Sequence, residues 1–298
     1  MIKKNTKSNL DIKKKPEWIK IRLPYNNHKI KKIKKIIKKN GLHSVCQEAM
    51  CPNISECFSN GTATFMILGN ICTRKCSFCA VSKGRPLLVD LEEPIKLSNT
   101  ILLMKINYVV ITSVTRDDLK DGGSKQFVRC IKEIKKKTKN IKIEILVPDF
   151  KNCVNKAIKI ISSNPPDIFN HNIENVPRLY KIIRPGANYS SSLKLLEKFK
   201  KKNSYIPTKS GLMLGLGEKY KEIIKVMKDL KSHGVNIITI GQYLQPSKKH
   251  LPVQRYITPL EFLHIKKEAF SIGFEKVVSG SFVRSSYRAD LQYHGDII

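Results

Sequence analysis

The chain has 298 residues, 41% of them hydrophobic, and carries 56 Lys and Arg against 24 Asp and Glu, a formal net charge of +32. That length accommodates one barrel-sized domain or two smaller ones. No apolar run reaches about 18 residues, which excludes a transmembrane helix, and the basic N-terminus lacks the apolar stretch and cleavage site of a secretory signal.

A cytoplasmic location is therefore expected, with no membrane partner. The charge alone would suit a nucleic-acid binder. Yet Lys far outnumbers Arg and, with Ile and Asn, is abundant everywhere, as AT-rich coding bias would produce. The Lys runs within 13–15, 31–39 and 135–139 fall in tails or predicted helices, where charge is solvated. No nucleic-acid partner is expected; the surface field would still attract an acidic partner.

Residues 1–60 read as a basic extension carrying the first cysteines, residues 61–280 as the core, and 281–298 as a C-terminal segment. From Thr62 the core alternates strands and helices. TATFMIL, NYVVITSV (107–114), IKIEILVP (141–148), DIFNHNI (167–173), TKSGLMLGLG (208–217) and VNIITIGQY (235–243) read as six strands. Between them lie helical patterns such as SKQFVRCIKEIKKK, LLEKFKK and EKYKEIIKVMKDLKSHG, the last stopping at His233 before Gly234. A seventh strand-like piece follows in the closing segment FEKVVSGSFVRSSYRADLQ. Strands alternating with helices predict βαβ units and a parallel sheet. Each strand ends in polar or Gly-rich residues, including CTRKCSFC, TSVTRDD, NHNIEN, GLGE and GQYLQP. Chemistry sits at that edge of such folds.

Six of the eight cysteines fall within 34 positions, a pattern of metal binding or catalysis rather than disulfides in a cytosolic chain. Cys130 and Cys153 stand apart in helix-like segments and read as small core residues. Cys72, Cys76 and Cys79 are spaced C-x3-C-x2-C. A structural zinc site would need a fourth ligand, and none is near. A [4Fe–4S] cube held by three thiolates leaves one iron open for a cofactor or substrate. Cys46, Cys51 and Cys57, spaced C-x4-C-x5-C, form a second incomplete group.

The first spacing, with Phe78 before the last cysteine, resembles the signature loop of the radical S-adenosylmethionine superfamily. The stretches EAMCPNISECF, GTATFMILGNICTRKCSFCAV, VVITSVTRDDLKDGG, FNHNIENVPRLY, GLMLGLGE and VRSSYRADL, in that order, resemble the lipoyl synthase family from about residue 40 onward. The resemblance implies a partial (β/α)6 TIM-type barrel of the radical S-adenosylmethionine type with N- and C-terminal extensions, which agrees with the six strand–helix units.

It also implies a sulfurtransferase that inserts two sulfurs, at C6 and C8, into an octanoyl group on a lysine of lipoyl carrier domains. The cofactors would be two [4Fe–4S] clusters per chain and two S-adenosylmethionines per lipoyl group. The implied ligands are Cys72, Cys76 and Cys79 for the radical cluster, and Cys46, Cys51, Cys57 and Ser286 of the RSSY motif for a sulfur-donating auxiliary cluster; Ser285 is the alternative. Partners would be the carrier domains of 2-oxoacid dehydrogenase complexes and the glycine cleavage H protein, an electron donor, and an iron–sulfur carrier for cluster repair. Thr112, Glu144, Asn170 and Arg184, with 215–217, are expected at the cofactor, Glu144 on its ribose. Arg116, His171 and Arg284 are expected near the substrate, unless Arg116 pairs with Asp117 or Asp118 and His171 is structural. The rival readings are a biotin synthase-like enzyme, disfavoured by the second cysteine group and RSSY, and a zinc-bound nucleic-acid module, disfavoured by the missing fourth ligands.

Overall fold

The computed structural model describes residues 14–20, 27–51, 53–59, 64–138 and 140–294. The start of the basic N-terminus, Lys13, Thr62 and Lys139 lie outside the described residues, as do both sides of the expected boundary at residues 60 and 61. Helix α1 (Asn27–Lys39) turns Ile30, Ile33 and Ile37 inward and Lys31, Lys32, Lys34, Lys35, Lys38 and Lys39 outward, as the 3- and 4-residue spacing dictates. Strand β1 (His43–Ser44), α2 (Val45–Glu48) and α3 (Ile54–Ser59) carry the first cysteines toward the core.

Six strand–helix units follow. They begin with β2 (Thr64–Ile67), a short ribbon of β3 (Ile71–Cys72) and β4 (Ser82–Lys83), and α4 (Glu93–Met104). Next come β5 (Tyr108–Ser113), α5 (Ser124–Lys137), β6 (Lys142–Leu146) and α6 (Val154–Ile161). Then β7 (Ile168–Asn170), a single turn α7 (Tyr180–Ile183), α8 (Tyr189–Lys202), β8 (Thr208–Leu214), α9 (Tyr220–Ser232), β9 (Ile237–Gln242) and α10 (Pro259–Ile272) complete the units. Strand β10 (Lys276–Gly280) and α11 (Ala289–His294) are the last described elements.

The main sheet runs β1-β2-β5-β6-β7-β8-β9-β10, with β1 antiparallel to β2 and every other pairing parallel. All seven expected strands are present, and the six units form the expected partial barrel. Their apolar runs have the cause that parallel sheets impose: both faces are covered, so Val109, Ile111, Ile143, Ile145 and Phe169 are all fully buried. Phe169 stacks on Phe199 of α8, with ring centroids 3.8 Å apart, closing helix onto sheet. Helix α10 starts with Pro259 behind a Thr258–Glu261 capping box and stops at Gly273, whose φ of 101° suits glycine.

Two features differ from the sequence reading. Cys130 is in the core, but Cys153 is half-buried at the residue before α6, because that helix starts only at Val154. The β3–β4 ribbon was not foreseen; two residues per strand leave no periodicity to read. No helix among the described residues is long and apolar enough to cross a membrane.

Candidate active site

The loop 72–79 leaves the end of β3 and is tied down from several sides. Thr73 donates to the Thr115 carbonyl through both its amide (3.1 Å) and its hydroxyl (3.0 Å). Ser77 donates to the carbonyls of Ile183 (3.0 Å) and Ile182 (2.7 Å), and His250 Nε2 meets the Cys79 carbonyl at 3.2 Å. Arg74 is the central fastener. Its buried guanidinium grips Asp117 with two bonds of 2.7 and 2.8 Å and reaches Asp149, beyond the end of β6, at 2.5 Å. Burial pushes the Asp149 carboxyl up, but the Arg74 bond and charge outweigh it and hold the group below its ordinary value.

The cysteines of this loop are half-buried. Burial raises Cys76, opposed by the Arg184 charge, and raises Cys79 to about 11. Metal-free, these two are neutral thiols; a metal must displace their protons to bind, since the thiolate is the ligand.

Cys46 on α2, Cys51 beyond it and Cys57 on α3 line one cavity of about 410 Å³, shared with Arg284, Ser286 and Tyr108. Burial, reinforced by Cys51, raises Cys46 to about 11; burial also raises Cys51, opposed by a backbone bond from Asn53 and the Arg284 charge. Ser286 lines the cavity, whereas Ser285 donates to Asn172 Oδ1 at 2.7 Å. Three thiols and a hydroxyl around one cavity match the donor number of a [4Fe–4S] cube. Among the described residues, no three His, Cys, Asp or Glu side chains converge tightly enough for one metal ion. A cube asks for something else, ligands standing apart at separate iron corners.

The remaining expected residues divide. Arg184, expected at the cofactor, is buried, donates to the Asn172 carbonyl at 3.0 Å, and its charge acts on Cys76. Glu144 corrects its expectation. It is fully buried inside the barrel, bonded by Lys209 Nζ (3.0 and 3.1 Å), Tyr108 Oη (2.7 Å) and Asn170 Nδ2 (2.8 Å), so its oxygens are taken by the protein. Asn170 belongs to the same interior network, its Oδ1 buried without a protein partner. Thr112 donates to the Leu146 carbonyl at 2.8 Å. Arg116 forks onto Asp118 at 2.8 to 3.2 Å, the alternative pairing. His171 is buried, with both ring nitrogens engaged by the Val147 carbonyl (2.8 Å) and Ser192 (3.0 Å). Burial and the Arg184 charge lower its pKa to about 4, so the ring is neutral.

Sequence reasoning missed Arg74 and Glu174 as members of the site; Asn172, expected with Asn170 and His171 at the mouth beyond the fourth strand, adjoins Glu174. Glu174 is half-buried, with φ of 70°, an uncommon conformation for a non-glycine. Asn172 Nδ2 donates to its carboxylate at 3.2 Å, and its surroundings include Arg184 and Arg284. Its charge also acts on Cys76 and Cys79, which places it beside the 72–79 loop. The available signal was the acid in NHNIEN at the end of the fourth strand.

The family model described as the Radical SAM superfamily matches residues 66–230. The FeFe-hydrogenase maturase HydG from Carboxydothermus hydrogenoformans shares the fold with a TM-score of 0.57, 15% identity, and coverage of 78% of this chain and 56% of that one. A partial barrel with a three-cysteine loop at its mouth thus defines a radical S-adenosylmethionine protein. The lipoyl synthase of Buchnera aphidicola subsp. Cinara cedri is 66% identical over 98% of this chain and 94% of its own length. That of Photorhabdus laumondii subsp. laumondii is 59% identical over 96% and 89%. The chain belongs to the lipoyl synthase family.

Proposed function

We propose that the chain replaces a C–H bond at C6 and another at C8 of an octanoyl group, held in amide linkage to a carrier-domain lysine, with C–S bonds. Membership of the lipoyl synthase family supports the reaction. The observation that carries the two-cluster form of it is the cavity shared by Cys46, Cys51, Cys57 and Ser286. Neither carbon bears an activating group, so no side-chain base could remove those hydrogens; two such bonds require two S-adenosylmethionines. When bound, the cluster on Cys72, Cys76 and Cys79 supplies the electron and open iron for cofactor cleavage, and the cluster on Cys46, Cys51, Cys57 and Ser286 supplies sulfur.

The chain's own residues do the placing. Arg74 fixes the signature loop to Asp117 and Asp149. Arg284 puts a cation beside Cys51, which favours thiolate there. A serine oxygen is a hard ligand on soft-ligand iron, so its corner is the one that opens most readily. Losing sulfide from the auxiliary cluster requires an iron–sulfur carrier for repair, and the radical cluster requires an electron donor. Substrates are octanoylated carrier domains of 2-oxoacid dehydrogenase complexes and the glycine cleavage H protein, whose acidic surfaces suit a chain of charge +32. The reaction is placed in the cytoplasm.

The test is anaerobic. The reconstituted protein should hold about eight irons, cleave S-adenosylmethionine, and add sulfur to an octanoylated carrier. Cys57→Ala should abolish sulfur insertion and spare cleavage, while Cys76→Ala should abolish both. Zinc in place of iron, or cleavage with no sulfur gained by the carrier, would overturn the proposal.

A further inference from the structure

The segment bearing Ser286 is held by its neighbours and not by Ser286 itself. On one side, the Ser285 hydroxyl donates to Asn172 Oδ1 at 2.7 Å, and Asn172 is in turn fixed through Glu174 (3.2 Å) and Arg184 (3.0 Å). Gly211 makes that contact possible, since a Cβ there would lie 2.7 Å from Asn172 Oδ1 and 2.9 Å from Ser285 Oγ. On the other side, Tyr287 Oη donates to both oxygens of Glu56 at 3.0 Å. Arg288 Nε reaches the same carboxylate at 2.8 Å, and its Nη2 bonds there too. Glu56 precedes Cys57 on α3. Asn53, on the same cysteine segment, donates to the Phe282 carbonyl at 2.6 Å. Between these anchors Ser286 lines the cavity, and its hydroxyl makes no hydrogen bond to a described residue.

We propose that Glu56 and Asn172 are positioning residues that present Ser286 to the auxiliary cluster, Glu56 by gripping Tyr287 and Arg288, Asn172 by gripping Ser285. The inference rests on Ser286 being that cluster's fourth ligand. Its physical content is that a weak oxygen ligand with no bonds of its own is pre-oriented by contacts on both flanks, which removes most of the entropy of closing the site. The Glu56 grip ties the C-terminal segment to the helix carrying Cys57, so ligand and cysteines move together. Glu56 and Arg288 are each 39% exposed, which leaves this flank the one that can release.

The test follows iron leaving the loaded, full-length protein to a chelator under anaerobic conditions. The phase that Cys76→Ala removes belongs to the signature loop and is the internal control. Ser286→Ala should speed the auxiliary phase by roughly tenfold or more, and Glu56→Ala and Asn172→Ala should each approach that effect. Glu56→Ala combined with Ser286→Ala should be no faster than Ser286→Ala alone, which a merely structural role would not produce. Tyr287→Phe, which deletes one hydroxyl and keeps the fold, should give a smaller acceleration in the same phase. If Ser286→Ala speeds release while Glu56→Ala, Asn172→Ala and Tyr287→Phe stay within about twofold of the parent, the clamp is wrong and the serine ligand stands. Independent, multiplying effects in the double variant also overturn it. If Ser286→Ala itself changes nothing, the serine-ligand reading fails and the clamp with it.

Discussion

Glu144 separates two accounts of the barrel interior. Its carboxylate receives four bonds, two from Lys209 and one each from Tyr108 and Asn170, and both members of the ion pair are essentially unexposed, at 0% and 1%. Glu144→Gln preserves shape but leaves the Lys209 ammonium buried without a counter-charge. Breaking one side of a buried pair costs about 3–5 kcal/mol, against a total stability of roughly 5–15 kcal/mol. With a urea slope near 3 kcal/mol per M, the midpoint should fall by about 1–2 M. Lys209→Met alone should be similarly damaging. The double variant Glu144→Gln, Lys209→Met should recover at least about 1–2 kcal/mol, because no unpaired charge remains. Anaerobic urea unfolding measures the midpoints, and S-adenosylmethionine cleavage measures KM, which should stay within about twofold once the protein is folded. A KM raised tenfold with an unchanged midpoint would refute the interior assignment and return Glu144 to the cofactor's ribose.

His171 should make stability pH-dependent. Its folded pKa of about 4 lies below the ordinary value of 6.5, so the unfolded chain binds the proton first and stability is lost as pH falls from 6.5 toward 4. At pH 5.5 the loss is about 1.4 kcal/mol; His171→Gln should flatten that part of the unfolding midpoint against pH, and parallel curves would refute it. Arg74→Lys keeps a charge but loses the fork spanning Asp117 and Asp149. It should cost about 2–3 kcal/mol, seen as a thermal midpoint lower by roughly 4–10 °C, and an unchanged midpoint would count against the fastening role. Gly211→Ala should push Asn172 and Ser285 apart and speed tryptic cleavage at Arg284 or Arg288; cleavage at the parent's rate would show that the contact tolerates a Cβ.

What the sequence could disclose follows from how each feature is encoded. Parallel strands buried on both faces become apolar runs, and amphipathic helices become 3- and 4-residue spacings, so β2 and β5 to β10 and the bounds of α5 were readable without coordinates. Cysteines are rare residues and these stand at short spacings, so both groups stood out. Which way a strand residue points is not encoded in the same manner. Glu144 looked like a lone acid in an apolar strand because its partners, Lys209 and Tyr108, lie 65 and 36 residues away. Thr112 and His171 likewise bond groups brought near only by folding, while Arg116 takes the local Asp118 pairing that the sequence offered as its alternative.

Arg74 and Asn172 show the converse. Both sit within recognisable motifs, CTRKCSFC and NHNIEN, yet neither residue type announces a role, since a basic residue in a loop and an amide at a strand end are commonplace. Their importance comes from joining segments distant in sequence. Arg74 links the signature loop to the ends of β5 and β6, and Asn172 links the barrel to the C-terminal serines 113 residues on. In a site whose proposed ligands come from three separate stretches of chain, the groups that set the geometry are those that tie the stretches together. Ser285 and Ser286, neighbours of the same type, are told apart only by this: the Ser285 hydroxyl is held by Asn172, and Ser286 lines the cavity.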